Sequence, residues 1–176
     1  AEMPNPRHPE HDLLKSVVGD WDVVFKTEAM PGVKGMEKAT EARGTEHSEL
    51  VCDGLFLKSV VDSNWQGKPN QGVWIAGYDP FKKHYTGICV SSDVEECGMS
   101  TMDGSYDAKT RTWSWHGSTP QGDVRSAFVF TNADSTHETV YMVGKDGTET
   151  KCMEITRRRA KTARVADASA TVPMTP

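Results

Sequence analysis

Hydrophobic and polar residues alternate with a period of two along most of the chain, from about residue 19 to residue 159. This alternation is typical of half-buried β-strands. Short groups rich in Gly, Pro, Asn and Asp interrupt it and indicate turns. The pattern predicts about ten strands, near residues 20–30, 39–51, 55–64, 71–78, 84–92, 99–106, 111–117, 123–131, 137–144 and 149–158.

The connections between these segments are too short to hold crossover helices, so consecutive strands should pair as an antiparallel meander. A sheet of about ten strands is expected to close on itself, because closure removes both exposed edges. A short helix of about two turns is predicted over residues 9–19, where proline and acidic residues precede apolar positions with helical spacing and Gly19 ends the segment. The predicted fold is an all-β, up-and-down barrel with a helix at one mouth.

The alternation stops after Arg159, and residues 160–176 are rich in Ala, Thr, Ser, Val and Pro. We therefore predict one barrel domain with its N-terminal arm and helix over residues 1–159, and an irregular C-terminal tail over residues 160–176. A length of 176 residues and a mean hydropathy of −0.57 are typical of one globular domain. No apolar run approaches the ~18 residues that cross a bilayer, so membrane insertion is not expected.

Charge is unevenly distributed along the chain. The net charge of −5 divides into −9 for residues 1–156 and +4 for residues 157–176. The acidic body argues against a protein that binds nucleic acid through its phosphates. The basic C-terminal segment instead indicates docking on a protein partner or on a second copy of the chain, with four candidate residues, Arg158, Arg159, Lys161 and Arg164.

Several short motifs carry a family resemblance. Gly19-Asp20-Trp21 follows the predicted helix, and Gly77-Tyr78-Asp79-Pro80 and Gly104-Ser105-Tyr106-Asp107 occupy predicted strand ends. In order and spacing they resemble the bacterial family known as domain of unknown function 1579, a relative of lipocalins and fatty-acid-binding proteins in the calycin superfamily. The resemblance covers about residues 8–159 and implies a calycin-like barrel with no established reaction.

The resemblance to lipocalin-type barrels also implies a structural contact. In such barrels the tryptophan of the first strand stacks against an arginine of the last strand, a cation–π interaction of about 0.5–2 kcal/mol. We predict that Trp21 and Arg157 form this closure, with Arg158 as the alternative. Trp21 is therefore assigned a structural role and no catalytic one.

A ten-stranded barrel is wide enough to enclose a pocket for a small molecule. The candidate apolar lining consists of Trp74, Tyr85, Cys89, Met102, Trp113 and Trp115. The candidate polar groups that would orient a ligand are His47, Arg125 and Glu154. A charged Arg125 inside the barrel would require a partner, such as Glu154, Glu49 or an anionic ligand.

Three functions follow from this interpretation. The first is a non-enzymatic barrel that binds a small apolar or amphipathic molecule, with an anionic group as one option. The second is a structural or accessory subunit that docks on a larger assembly through its tail. The third is a cavity enzyme of the isomerase or cyclase type; since the chain carries no nucleophile elbow or other catalytic signature, we assign no catalytic residue.

No cofactor or metal site is predicted. His8 and His11 lie close together, but the acidic residues beside them suit the start of a helix better than a metal. Haem remains an alternative, because His47 or His116 could project into the cavity and hold its iron. Four widely spaced cysteines are expected to be thiols, with two disulfides as the alternative: Cys52, Cys89, Cys97 and Cys152. These cysteines and the eight methionines slightly favour a cytoplasmic location over a periplasmic or secreted one.

Overall fold

A computed structural model of the chain describes residues 7–33, 36–92 and 98–161. A helix, α1 (Pro9–Leu13), continues into a 3-10 turn (Leu14–Val17). Ten strands follow: β1 (Gly19–Thr27), β2 (Thr40–Val51), β3 (Phe56–Trp65), β4 (Lys68–Asp79), β5 (His84–Ser91), β6 (Met99–Asp107), β7 (Thr112–Thr119), β8 (Gly122–Asn132), β9 (Ser135–Val143) and β10 (Glu149–Arg159).

Each strand pairs with the next along the chain in an antiparallel ladder, and β10 pairs with β1 to close the barrel. The predicted all-β, up-and-down barrel of ten strands with one short N-terminal helix is therefore confirmed. The boundaries differ by a few residues. In particular, β4 begins at Lys68 rather than residue 71, and β10 continues to Arg159.

The helical segment covers one mouth of the barrel. Leu14 is 1% exposed and belongs to the main apolar cluster of the interior. Two side chains of the barrel also hold this segment through hydrogen bonds to its backbone. The Tyr85 hydroxyl donates to the carbonyl of Glu10 at 2.8 Å, and the Trp21 indole Nε1 donates to the carbonyl of Val17 at 2.9 Å.

Arg159 closes the barrel at the same mouth. Its guanidinium carbon lies 4.2 Å from the centroid of the fully buried Trp21 ring. Nη1 and Nη2 donate to the carbonyls of Val18 and Ser16 at 2.8 and 3.0 Å. Gly19 has a φ of +130°, and a Cβ there would lie 2.8 Å from Arg159 Nη1, so the first residue of the Gly-X-Trp motif has two reasons to be glycine.

The prediction that Arg157 or Arg158 stacks on Trp21 is wrong. Because β10 extends to Arg159, that residue is the cross-strand partner of Trp21, whereas Arg157 is the partner of Val23, two residues along β1. Arg158 lies between them and is exposed on the opposite face of the strand. Arg159, which is also one of the residues predicted to dock a partner, has its guanidinium bonded to the helix junction.

Arg158 and Lys161 remain as exposed basic side chains at the end of the barrel. Arg164, Cys97 and most of the predicted tail lie outside the described residues. Across the described ranges, no helix is long and apolar enough to cross a membrane.

Candidate functional site

The interior of the barrel contains two adjoining groups of side chains that we treat as the candidate site. Four rings form the aromatic cluster, Trp74, Tyr85, Trp113 and Trp115. Three ionisable side chains form the ion cluster, Glu46, Glu138 and Arg157. The strand register places all seven side chains on the same face of the sheet. This face is the interior, because Glu46, Tyr85, Trp113 and Trp115 on it are buried.

The rings of the aromatic cluster contact one another in offset and edge-to-face arrangements. The centroids of Trp74 and Trp115 are 4.9 Å apart at nearly right angles, and those of Tyr85 and Trp113 are 4.3 Å apart. Such pairs contribute stability beyond the apolar area they bury. Burial, with a smaller contribution from nearby acidic groups, raises the pKa of Tyr85, so its phenol stays neutral and donates to the helix.

Two glycines make space for the indoles. A Cβ at Gly87 would lie 2.2 Å from the Trp74 ring, and one at Gly104 would lie 2.5 Å from the Trp115 ring. Each indole therefore lies directly against the backbone of the neighbouring strand. An added methyl group would push the ring away from that backbone.

The ion cluster consists of one guanidinium between two carboxylates. Arg157 Nε donates to Glu46 Oε2 at 2.7 Å, and its Nη1 donates to Glu138 Oε2 at 2.9 Å. The side chains are 13%, 4% and 15% exposed for Arg157, Glu46 and Glu138. Burial disfavours the charged guanidinium, but the two carboxylates outweigh it and raise the pKa of Arg157. Two carboxyl groups therefore share one guanidinium, so the cluster contains one more acidic group than basic group.

A hydrogen-bonded series of side chains runs from the ion cluster towards the aromatic cluster. Ser48 Oγ donates to Glu46 Oε1 at 2.9 Å and lies 2.6 Å from Ser59 Oγ. Ser59 is in turn the cross-strand partner of Trp74. On the other side of the guanidinium, the ring of Phe128 lies 5.5 Å from its central carbon and packs in the same apolar core as the indoles. The two clusters thus form one continuous interior surface.

A half-open cavity of ≈ 260 Å³ approaches the ion cluster at the end of the barrel where β8, β9 and β10 meet. Arg157 and Thr136 line it together with residues of the outer face. The Thr136 hydroxyl is buried and has no hydrogen-bond partner among the described residues.

Three of the polar residues predicted for the interior lie on the outside. His47 Nδ1 is 2.7 Å from the carboxylate of Asp20, and Arg125 Nη2 donates to Glu149 at 2.6 Å. Glu154 pairs with a neighbouring lysine at 3.2 Å. The prediction that His47, Arg125 and Glu154 orient an interior ligand is therefore wrong, because the pleat turns each of them away from the barrel.

The apolar part of the predicted lining lies inside. Trp74, Cys89 and Met102 face the interior and are partly accessible, whereas Tyr85, Trp113 and Trp115 are buried. Glu46 and Glu138 were not among the side chains that the sequence predicted for the interior. For Glu46 a signal existed, because it occupies the same alternate positions of β2 as Ala42, Ser48 and Leu50.

The strand alternation also determines which way the histidine side chains point. The four strand histidines lie on outward faces, so His47 and His116 are not placed to hold an interior haem iron: His47, His84, His116 and His137. Across the described residues, no group of three or more His, Cys, Asp or Glu side chains is arranged to hold a metal ion. Cys52 and Cys152 are free thiols, and burial raises the pKa of Cys152.

The closed antiparallel barrel, with a helix across one mouth and an aromatic and charged interior, defines a protein of the calycin-like class. The family profile described as a protein of unknown function (DUF1579) matches residues 6–159, and the chain belongs to this family. The resemblance noted in the sequence is thereby confirmed.

Two solved structures have a similar fold. The S-type phycobiliprotein lyase CPES from Guillardia theta is 9% identical, with a TM-score of 0.60 over 89% of this chain and 95% of that chain. Rv2717c from M. tuberculosis is 12% identical, with a TM-score of 0.63 over 88% of this chain and 99% of that chain. At these identities the likeness extends to the fold alone. No curated protein matches the chain.

Proposed function

We propose that the protein is a non-enzymatic barrel that binds a small amphipathic molecule in its interior. The observation that carries the proposal is the continuous interior surface formed by the aromatic cluster and the ion cluster. Sites for small molecules typically combine apolar and aromatic walls with a few fixed polar groups. Burying charged side chains carries a desolvation penalty, and apolar side chains of similar volume would fill the barrel without it. A role in binding accounts for the presence of the charged cluster.

Accessibility supports the same interpretation. Trp74 and Met102 face the interior from the middle of their strands, yet both remain partly accessible. Side chains at such positions in a fully packed core would be buried. Together with the partial exposure of Glu138, this leaves interior surface for a ligand to cover.

Three ionisable groups of the interior are poorly suited to acid–base catalysis. Burial keeps the Tyr85 phenol and the Cys152 thiol in their neutral forms by raising the pKa of each, and the carboxylates keep Arg157 charged. Acid–base catalysis needs a group whose pKa lies near the working pH. These shifts move all three groups away from that range.

The accessory-subunit alternative has weaker support. It rests on the exposed Arg158 and Lys161, since Arg159 is engaged with Trp21 and the helix junction. Surface charges of this kind are common without a partner, so we retain small-molecule binding as the proposed function.

The test is native mass spectrometry of the full chain purified from its own host, compared with its denatured mass. We expect a discrete mass increment that disappears on denaturation. An unmodified mass in a larger assembly would instead support the accessory subunit. A bare monomer that also fails to take up small aromatic compounds would overturn the proposal.

A pair of variants locates the bound molecule. Met102→Trp enlarges an inward-facing side chain beside the aromatic cluster, whereas Thr101→Trp makes the same change on the outward face of the same strand. We expect the mass increment to be lost in the first variant and kept in the second, with circular dichroism confirming that both fold. Retention in both variants would place the ligand outside the barrel.

A further inference from the structure

We propose that the ion cluster makes the interior selective for molecules with a cationic, hydrogen-bond-donating nitrogen, such as a primary ammonium group, and unfavourable for carboxylates. The proposal rests on the proposed function, because it names the chemical class of the molecule that the barrel binds. It reverses the anionic option that the sequence suggested for Arg125, whose guanidinium lies outside and is bonded to Glu149.

The charge balance of the ion cluster favours a cationic ligand. Two carboxylates, Glu46 and Glu138, share the single guanidinium of Arg157 at 2.7 and 2.9 Å. All three side chains are largely shielded from water, so the excess negative charge is poorly screened. A ligand that brings one positive charge would balance the cluster, whereas a carboxylate would add a second uncompensated charge to it.

The two carboxylates differ in how many of their oxygens are already hydrogen-bonded. Both oxygens of Glu46 accept hydrogen bonds, one from Arg157 and the other from Ser48. Glu138 differs, because within the described residues it accepts only from Arg157, through Oε2. Its second oxygen is therefore available to a ligand donor. Glu138 is also the more exposed of the two, at 15% against 4%.

An aromatic side chain adjoins the ion cluster. Phe128 already lies 5.5 Å from the Arg157 guanidinium carbon, and Phe128 packs in one core with Trp113 and Trp115. Aromatic faces attract cations and repel anions. An ammonium group bound at the ion cluster would therefore lie near an aromatic ring, a setting that favours a cation over an anion.

The selectivity is tested with three probes that share a naphthalene ring and differ in the polar group: 2-naphthylmethylamine, 2-naphthalenemethanol and 2-naphthoate. Isothermal titration calorimetry at neutral pH measures each affinity for the full chain. A charge-assisted hydrogen bond predicts that the ammonium probe binds at least about tenfold more tightly than the alcohol. We expect the carboxylate to bind more weakly than the alcohol.

Glu138→Gln removes the excess charge while keeping the shape of the side chain. In this variant the preference for the ammonium probe over the alcohol should fall by about tenfold. The matched control is Glu149→Gln, which removes a carboxylate from an arginine pair on the outer surface. That control should leave all three affinities unchanged.

The outcomes separate the two proposals. If the alcohol binds but the ammonium probe binds no more tightly, or if the carboxylate binds best, the selectivity is overturned and the binding function stands. If none of the probes binds, neither proposal survives. The comparison of probes on the unmodified protein decides the selectivity even where Glu138→Gln fails to fold.

Discussion

Two groups of the same chemistry occupy opposite faces of the barrel wall. Inside, Arg157 bonds to Glu46 and Glu138; outside, Arg125 bonds to Glu149. Each guanidinium also lies near an aromatic ring, at 5.5 Å from Phe128 inside and 4.4 Å from Tyr141 outside. Contact geometry alone does not distinguish the two groups. Exposure does, since the carboxylates are 4% and 15% exposed inside and 38% exposed outside.

This difference in exposure determines what each group can do. Water and salt screen the outer pair, and exposed ion pairs contribute little to stability. The side chains of the inner cluster have lost most of their contact with water, so each charge is stabilised mainly by the others. The same dependence makes the inner cluster sensitive to the charge of any molecule that enters the barrel.

The largest expected effect comes from Arg157→Met, which leaves two carboxylates in the interior without their shared partner. Breaking a buried ion pair in this way costs about 3–5 kcal/mol. The measurement is the free energy of unfolding from urea denaturation at neutral pH. Arg125→Met is the matched control and should lower the unfolding free energy far less. Equal losses in the two variants would contradict the distinction drawn between inner and outer groups.

The fold was predictable from sequence because strand alternation and turn residues are local signals. Whether a given side chain points into or out of the barrel was less predictable where both faces of a strand are apolar. Arg125 shares a face with Ala127 and Val129, which suggested the interior, but Val124 and Phe128 on the other face are the buried ones. Alternation gives the set of residues that share a face, and only pairing with neighbouring strands gives the direction of that face.

Strand β10 shows a second reason why the site residues were difficult to predict from the sequence. Its arginines are consecutive, so an error of one residue at the strand end changes which of them meets Trp21. Arg159 stacks on Trp21 and Arg157 enters the ion cluster, although both belong to the inward face. Glu138 is harder still to predict, because its role depends on Arg157 of the next strand and, through Arg157, on Glu46 of β2, which is far away in sequence.

Arg159 provides an intermediate case between the inner and outer groups, since its side chain is 33% exposed. Arg159→Gln removes the contact with Trp21 and the hydrogen bonds to the helix junction at Ser16 and Val18. We expect a loss of about 1–3 kcal/mol from these interactions. Faster amide hydrogen exchange in α1 and the 3-10 turn would show that the helical segment has loosened. Arg158→Gln, on the exposed face of the same strand, should change neither quantity, and a comparable loss in that variant would contradict the closure.

The smallest expected effect concerns the outer pair and its dependence on pH. The hydrogen bond from Arg125, ahead of the weaker charge attraction, lowers the pKa of Glu149 below its usual 4.5. A carboxyl group with a lowered pKa stabilises the folded state at pH values above its unfolded pKa. That contribution is lost as the pH falls through the folded pKa. The unmodified protein should therefore be slightly more stable than Glu149→Gln at about pH 7, and the difference should shrink progressively as the pH falls below 4.5.

Salt separates the same two groups without changing any proton. Screening at about 1 M salt should remove most of the small difference between the unmodified protein and Glu149→Gln at neutral pH. The loss caused by Arg157→Met should persist under the same conditions, because the interior charges are shielded from mobile ions as well as from water. Urea denaturation in low and high salt measures both differences. A strong salt dependence of the Arg157→Met loss would mean that the ion cluster is hydrated like a surface pair, which would also remove the basis for its selectivity towards cations.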